Sequence, residues 1–289
     1  MFCLLMGITA CGEKRQTKNK IVSVTIEPQR YFAEQIAGDK LTIHCVVPSG
    51  QSPESYDPTP QQIIQIGEST AYLRIGSIGF EQAWMDKIIE NNPHLQVFDL
   101  SEGMSMIHLD EKEHESDHHH HHHHHSNGMD PHIWTSIKGA KIIAMNTWKA
   151  FTELDPENSA YYEENYNKLM QTIEATEDSI RTLLEPHNNR CFIIYHPALT
   201  YLADEFGLKQ LSIEMDGKEP SPAQLKLLVE TARKQQALVV FIQQEFDQKN
   251  AELIAQETGC QLTVIHPLNY EWNTEMIHIA KALAHGKAH

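Results

Sequence analysis

The chain has 289 residues, of which 40% are hydrophobic and 21% are charged, and its formal net charge is -16. This composition is typical of a globular protein that forms one large domain or two smaller ones. The strong negative charge argues against nucleic acid or an anionic membrane surface as the partner.

The N-terminus carries a candidate export signal. Met1–Ala10 is uncharged and mostly apolar but too short to span a bilayer. Small residues precede Cys11, and a polar segment follows it. This order resembles the lipobox of a bacterial lipoprotein signal, although no basic residue precedes Phe2. The resemblance implies a signal and tether over residues 1–20, with Cys11 as the lipid anchor; the alternative is an apolar chain end with an incidental cysteine.

From residue 21 onward, short apolar runs typical of strands alternate with amphipathic helical patterns, which predicts an α/β fold. In the N-terminal lobe, taken as residues 21–150, the predicted strands are Ile21–Ile26, Leu41–Val47, Ala71–Ile75 and Gln96–Leu100. The predicted helices are Pro28–Ala37, one that begins at Pro60, and Glu81–Asn91. Thr59 and Gln62 have the spacing of a capping box around Pro60, which fixes the start of that helix.

A long helix is predicted between the two halves of the chain. Asp155-Pro156-Glu157 is a helix start, and no glycine or proline follows until Pro186. About 30 residues at 1.5 Å each would form a rod of roughly 45 Å. We therefore predict a linking helix over residues 155–185.

The C-terminal lobe, residues 190–289, repeats the alternating pattern. The predicted strands are Cys191–Tyr195, Gln210–Ile213, Leu238–Ile242 and Gln261–Ile265, and the predicted helices are Ala198–Phe206, Pro222–Gln235, Gln248–Thr258 and Glu275–Ala284. The expected fold is therefore two Rossmann-like α/β lobes, joined by one long spine helix, with a ligand site in the cleft.

Four segments place a candidate metal ligand in a loop or just beyond a strand. Glu54 and Asp57 lie in the loop 48–60, and His132 lies in the sequence Asp-Pro-His-Ile-Trp. His196 and His266 each follow a strand and precede a proline, which restricts the backbone of the histidine. In open α/β sheets, ligands bind outside the carboxyl ends of the strands, so these side chains are candidates for one site. A further pair, Glu214 and Asp216, follows another strand and could support the ligands.

The chain resembles the metal-binding solute receptors of bacterial ATP-driven zinc and manganese importers. The resemblance is carried by the segments 48–60, 130–134, 195–208, 219–224 and 256–259, in family order and spacing. It implies two lobes that hold one ion between them, with His132 and His196 at positions of family histidine ligands. The family normally has histidine at the position of Glu54 and aspartate at that of His266. The implied set is Glu54, His132, His196 and His266, with Asp57 or a water as the alternative to Glu54.

Three imidazoles and one carboxylate suit tetrahedral Zn²⁺, whereas Mn²⁺ prefers more oxygen ligands and is the second candidate. The resemblance implies a membrane-anchored receptor in the periplasm or on the cell surface. Such a receptor captures zinc and delivers it to the permease of an importer, and it binds rather than catalyses.

The segment 108–125 is rich in histidine and acidic residues and poor in apolar ones, so it is predicted to be a disordered loop. An engineered tag is the alternative, but tags sit at chain ends. Zinc receptors of this family often carry such a loop, which would capture zinc weakly at several sites. A protease motif within it, from His114 to His118, lacks the apolar helix that such a motif needs. The predicted accessory ligands are His108, His114, His118, His119, His120, His121, His122, His123, His124 and His125.

Two other classes of function remain open at this point. A zinc-dependent hydrolase would use Glu54 as general base and an open coordination position for water. A surface adhesin would use the metal only to stabilise its fold.

Overall fold

The computed structural model describes residues 20–108, 128–185, 190–214, 218–246 and 248–286. The predicted signal and tether, including Cys11, lie outside these ranges except for Lys20. In the described part of the chain, no helix has both the length and the apolar character needed to cross a bilayer.

The N-terminal lobe is a parallel sheet with helices between its strands. Its elements are β1 (Lys20–Val24), α1 (Glu27–Ala37), β2 (Leu41–Cys45), α2 (Pro60–Gly67), β3 (Ala71–Arg74), α3 (Gly79–Asn91) and β4 (Gln96–Asp99). The strand order is β2-β1-β3-β4, and all pairs are parallel. At the start of α2, Thr59 and Gln62 form the predicted capping box, and the backbone N–H of Gln62 donates to Oγ1 of Thr59.

Two helices follow the first sheet. A short 3₁₀ turn at Ile133–Thr135 leads into α4 (Ile137–Leu154), a helix that the sequence did not predict. After a second 3₁₀ turn, α5 (Ser159–Leu184) extends for 26 residues, about 39 Å at 1.5 Å per residue. The helix α5 packs against α1 and α4 and also against α9 at the end of the chain, so it contacts both lobes.

The C-terminal lobe has the same design as the first. Its elements are β5 (Cys191–Ile194), α6 (Thr200–Phe206), β6 (Lys209–Ser212), α7 (Pro222–Lys234), β7 (Val239–Gln243), α8 (Lys249–Thr258), β8 (Gln261–Ile265) and α9 (Trp272–His285). The strand order is β6-β5-β7-β8, again all parallel. The predicted fold class, two α/β lobes with a long helix, is confirmed.

The lobes are fastened together by the loop between β8 and α9. The indole N–H of Trp134 donates to the carbonyl oxygen of Pro267 at 2.9 Å, and that of Trp272 donates to the carbonyl oxygen of Trp134 at 2.6 Å. The hydroxyl of Tyr270 donates to Oε2 of Glu34 on α1 at 2.6 Å. Both tryptophans are buried in a hydrophobic core that continues from one lobe into the other. The cleft between the lobes is therefore built on a shared core.

Candidate metal centre

In the C-terminal sheet, the strand order reverses between β5 and β7, and the crevice at their carboxyl ends is where such folds bind ligands. His196 lies just beyond β5, and Gln243 is the last residue of β7. The side chain of Gln243 is 2% exposed, and it binds the backbone of His196 at both ends. Its Nε2 donates to the carbonyl oxygen of His196 at 2.6 Å, and its Oε1 accepts from the N–H of His196 at 3.3 Å. The side-chain amide of Gln243 thus fixes the backbone of His196 at the point where the strand order reverses.

The equivalent crevice in the N-terminal sheet, between β1 and β3, is filled by a buried acid. The carboxyl group of Glu81 accepts from the backbone N–H groups of Ile75 and Gly76 and from the hydroxyl of Thr25. Burial raises the pKa of Glu81 from 4.5 to about 7, against the lowering effect of these hydrogen bonds. The metal-ligand candidates of this lobe therefore come from loops beside the crevice.

His132 and His196 meet across the cleft. Their Nε2 atoms are 3.2 Å apart, and their ring centroids are separated by 5.0 Å. His132 is 6% exposed, so this meeting point is almost closed to solvent. The structure thus brings together two residues from different lobes, 64 positions apart in the chain.

A carboxylate orients each imidazole from behind. Nδ1 of His132 donates to Oδ1 of Asp130 at 2.8 Å, and the same oxygen accepts the backbone N–H of His132 at 2.9 Å. Nδ1 of His196 donates to Oε2 of Glu214 at 3.0 Å, and the ring of Phe246 stacks on the ring of His196 at 5.2 Å. Partners of this kind fix which nitrogen carries the proton and leave the other free to ligate.

The pKa values of the first pair agree with an ionised acid beside a basic imidazole. Burial alone would raise the pKa of Asp130, but the charge and hydrogen bonds of His132 lower it below 3.8. Burial likewise would lower the pKa of His132, but the attraction of Asp130 outweighs burial and raises it above 6.5. With Nδ1 of both rings donating to carboxylates, the two Nε2 lone pairs face each other. Two facing lone pairs at 3.2 Å require a proton or a metal cation between them.

Glu54 lies in the wall of the same cavity. Its Oε2 accepts the backbone N–H of Gly79 at 3.1 Å, and the N–H of Phe80 donates to the carbonyl oxygen of Pro53 at 2.9 Å. The loop approaches so closely that a Cβ atom on Gly79 would lie 2.2 Å from the carbonyl oxygen of Glu54. The other carboxylate oxygen, Oε1, is buried and has no hydrogen-bond partner among the described residues.

The cavity around these groups has a volume of about 30 Å³, room for an ion with one or two waters. Besides Glu54, His132 and His196, it is lined by Ser52, Pro53, Trp134, Ala198, Gln243, Glu245, Phe246, Pro267 and Leu268. As the side chains stand, no group of three or more His, Cys, Asp or Glu residues in the described ranges is arranged to hold a metal. Two imidazoles are in place, and the carboxylates border the cavity.

The remaining predicted ligands lie elsewhere. His266 is partly buried but does not line the cavity, and its backbone N–H donates to Oε1 of Glu275 at 2.8 Å. Asp57 is exposed and does not line the cavity either. His108 is exposed and forms an isolated antiparallel bridge with Met129.

Other predicted positions fall outside the described residues. These are Asp216 and the accessory histidines His114, His118, His119, His120, His121, His122, His123, His124 and His125. Two residues that line the cavity, Gln243 and Glu245, were not among the predicted site residues, although both stand at or just after the end of an apolar strand.

The chain is similar to known metal receptors over nearly its whole length. A family model described as "Zinc-uptake complex component A periplasmic", ZnuA, matches residues 22–285. The high-affinity zinc uptake system protein ZnuA of Bacillus subtilis is 31% identical, with 92% of this chain and 86% of that protein covered. The manganese ABC transporter substrate-binding lipoprotein PsaA of Streptococcus mitis is 27% identical, with 79% and 73% covered. A crystal structure of ZnuA superposes with a TM-score of 0.84 at 32% identity and covers 93% of this chain and 99% of that one.

Proposed function

Because this chain belongs to the ZnuA family of periplasmic zinc-uptake components, we propose that it is an extracytoplasmic zinc receptor. It captures Zn²⁺ in the cleft between its lobes and delivers the ion to the permease of an ATP-driven importer. The similarity to a zinc uptake protein at 31% identity supports zinc, and the similarity to a manganese receptor at 27% makes Mn²⁺ the second candidate.

One observation carries the proposal: the 3.2 Å contact between Nε2 of His132 and Nε2 of His196. Both rings are oriented from behind by carboxylates, so both present a lone pair to the same point. A metal cation there replaces the shared proton and forms two coordinate bonds. Imidazole suits zinc well, whereas Mn²⁺ prefers oxygen.

We take Glu54 as the third ligand of this site. Its buried Oε1 lacks a partner among the described residues, and leaving a carboxylate oxygen unpaired in a buried position is costly. A metal ion in the cavity would satisfy it while Oε2 keeps its hydrogen bond to Gly79. The resemblance to the receptor family gives His266 as the fourth ligand, and that assignment stays a prediction.

A receptor fits this site better than a hydrolase does. A catalytic zinc needs an open coordination position for a water or a substrate group, whereas the proposed set of four protein ligands leaves none. The hydrolase alternative uses Glu54 as general base, and a Glu54 whose buried Oε1 ligates the metal is not available for that role. The adhesin alternative draws no support from the family to which the chain belongs.

Anchoring through Cys11 is part of the proposal. It is supported by the lipobox-like sequence and by relatives whose names describe them as lipoproteins. In a bacterial host, the full chain should partition into the detergent phase and a Cys11→Ala variant into the aqueous phase. Equal partitioning of the two proteins would remove the anchor from the proposal and leave the metal site untouched.

The receptor itself is tested by zinc titration with a competing chelator, which reports the tightest site. His132→Ala should abolish tight binding, and the matched control His94→Ala, an exposed histidine of the same lobe, should not change it. Deletion of residues 109–127 should remove weak zinc binding only, because His108 and Met129 pair and the two ends lie together. Tight binding that survives His132→Ala, or that disappears with the deleted segment, would refute the cleft site.

A further inference from the structure

We propose that the fourth metal ligand is Glu245, on the turn after β7, and not His266, on the loop after β8. This inference rests on the proposed function, because it assigns a ligand to the same site. It departs from the ligand set that the sequence implied.

The turn from Gln243 to Phe246 holds Glu245 beside His196. The backbone N–H of Phe246 donates to the carbonyl oxygen of Gln243 at 3.3 Å, which closes the turn. At one end, the Gln243 amide is bound to the backbone of His196. At the other end, the ring of Phe246 is stacked on the ring of His196, with an interplanar angle of 18°. Glu245 lies between two residues that are both fastened to one metal-ligand candidate.

The side chain of Glu245 is available for coordination. It lines the cavity together with Glu54, His132 and His196. Within the described ranges, its carboxylate forms no ion pair with a lysine, arginine or histidine. A carboxylate at the edge of a small cavity with two imidazoles needs only a side-chain adjustment to become a ligand. This adjustment would complete a group of four donors.

His266 is placed less well. The loop that follows it presents Pro267 and Leu268 to the cavity, and neither side chain can ligate a metal. The backbone N–H of His266 is bound by Glu275, and the carbonyl of Pro267 is bound by the indole of Trp134. These two hydrogen bonds hold the loop so that its apolar residues Pro267 and Leu268 face the metal position and His266 does not.

The donor types distinguish the two ligand sets. Two imidazoles with the carboxylates of Glu54 and Glu245 supply two nitrogens and two oxygens, whereas the set with His266 supplies three nitrogens and one oxygen. The set with two oxygens should tolerate Mn²⁺ better than the set with three nitrogens, while zinc still binds more tightly.

The test compares four variants of the full chain by chelator-competition titration with Zn²⁺. Glu245→Gln keeps the shape of the side chain and should raise the dissociation constant of the tight site at least tenfold. His266→Asn should leave it within threefold. Gln244→Ala, an exposed neighbour in the same turn, is the matched control and should leave it unchanged. His132→Ala reports on the cleft site as a whole.

Coordination is read separately by Co²⁺ substitution, because the ligand-field absorption of Co²⁺ changes when a ligand is lost. We expect the Co²⁺ spectrum of Glu245→Gln to differ from wild type and that of His266→Asn to match it. A large loss of affinity in His266→Asn, or wild-type affinity and spectrum in Glu245→Gln, would overturn the assignment. Either of these results would refute Glu245 as the ligand but would leave the cleft receptor intact. The cleft receptor itself would be refuted by tight zinc binding that is retained in His132→Ala.

Discussion

Acidification is the sharpest perturbation of the proposed site, because protons and zinc compete for the same two atoms. At neutral pH, Nε2 of His132 and Nε2 of His196 are available to a cation once any proton between them leaves. Below the pKa of the imidazoles, each ring must lose a proton before it can ligate. Lowering the pH should therefore weaken zinc binding, and the number of protons released should rise.

The size of the effect follows from the two rings. An imidazole with the reference pKa of ~6.5 is about one-tenth deprotonated at pH ~5.5, so protons weaken binding about tenfold for such a ligand. Burial lowers the pKa of His132, but the charge and hydrogen bonds of Asp130 raise it by more, and the net shift is upward. A raised pKa means that His132 holds its proton to a higher pH, so the loss of affinity from His132 alone should begin at a higher pH and exceed about tenfold.

Calorimetry at pH ~7.5 and ~5.5, in two buffers of different ionisation enthalpy, measures affinity and proton release together. We expect more protons to be released per zinc at pH ~5.5 than at pH ~7.5, and at least one at the lower pH, because the proton between the two Nε2 atoms must leave before both can ligate. An affinity that falls less than tenfold, or a release of less than one proton at pH ~5.5, would show that the two imidazoles do not both ligate.

Three other perturbations test the supports of the site. Asp130→Asn should weaken zinc binding by about 10- to 100-fold by removing the partner of His132, measured by titration against Asp130→Glu. Gly79→Ala places a Cβ atom 2.2 Å from the carbonyl oxygen of Glu54 and should cost about tenfold in zinc affinity, or 1.4 kcal/mol, with unchanged circular dichroism. Burial raises the pKa of Glu81 to about 7, so the folded protein favours the protonated acid. The free energy of unfolding should therefore be highest below pH ~4.5 and should fall by about 3 kcal/mol as the pH rises through ~7. Urea unfolding of the metal-free protein, with chelator present, should show this fall in unfolding free energy with pH in wild type and a smaller fall in Glu81→Gln.

Much of the fold was predictable because its signals are local. Each predicted strand overlaps an observed one, and the capping boxes at Thr59 and Ser221 begin helices at the next residue. The helix α4 was missed, since Gly139 in its first turn reads as a helix breaker. The structure shows why glycine stands there: a Cβ atom would lie 1.8 Å from the carbonyl oxygen of Ile133, in the 3₁₀ turn that precedes the helix. The glycine is therefore required by the turn that leads into the helix, and it does not end the helix.

The site was predictable where residues that are in contact are also close together in the sequence. Asp130 and His132 are two residues apart, so their partnership is visible in the local sequence, although only His132 was predicted there. The partnership of Glu214 with His196 spans 18 residues and depends on how two neighbouring strands end. For the fourth ligand, local sequence is insufficient: Glu245 and His266 both follow strands of one parallel sheet, and the neighbouring loops decide which side chain faces the cavity. His196 of the same lobe holds the turn with Glu245, and Trp134 of the other lobe holds the loop after His266; the sequence does not display either contact.

The same contacts bear on how an ion would enter and leave. Trp134 is two residues from His132; its indole binds the loop after β8, and its carbonyl binds the first residue of α9. An opening of the lobes would break these buried bonds, each worth about 1 kcal/mol with a further cost for the groups left unpaired. Glu54 and Glu245, by contrast, lie on loops at the edge of the cavity, and one backbone N–H holds the carboxylate of Glu54. Fixed imidazoles would thus supply affinity, and release would proceed by movement of the two carboxylate side chains while the shared core stays closed.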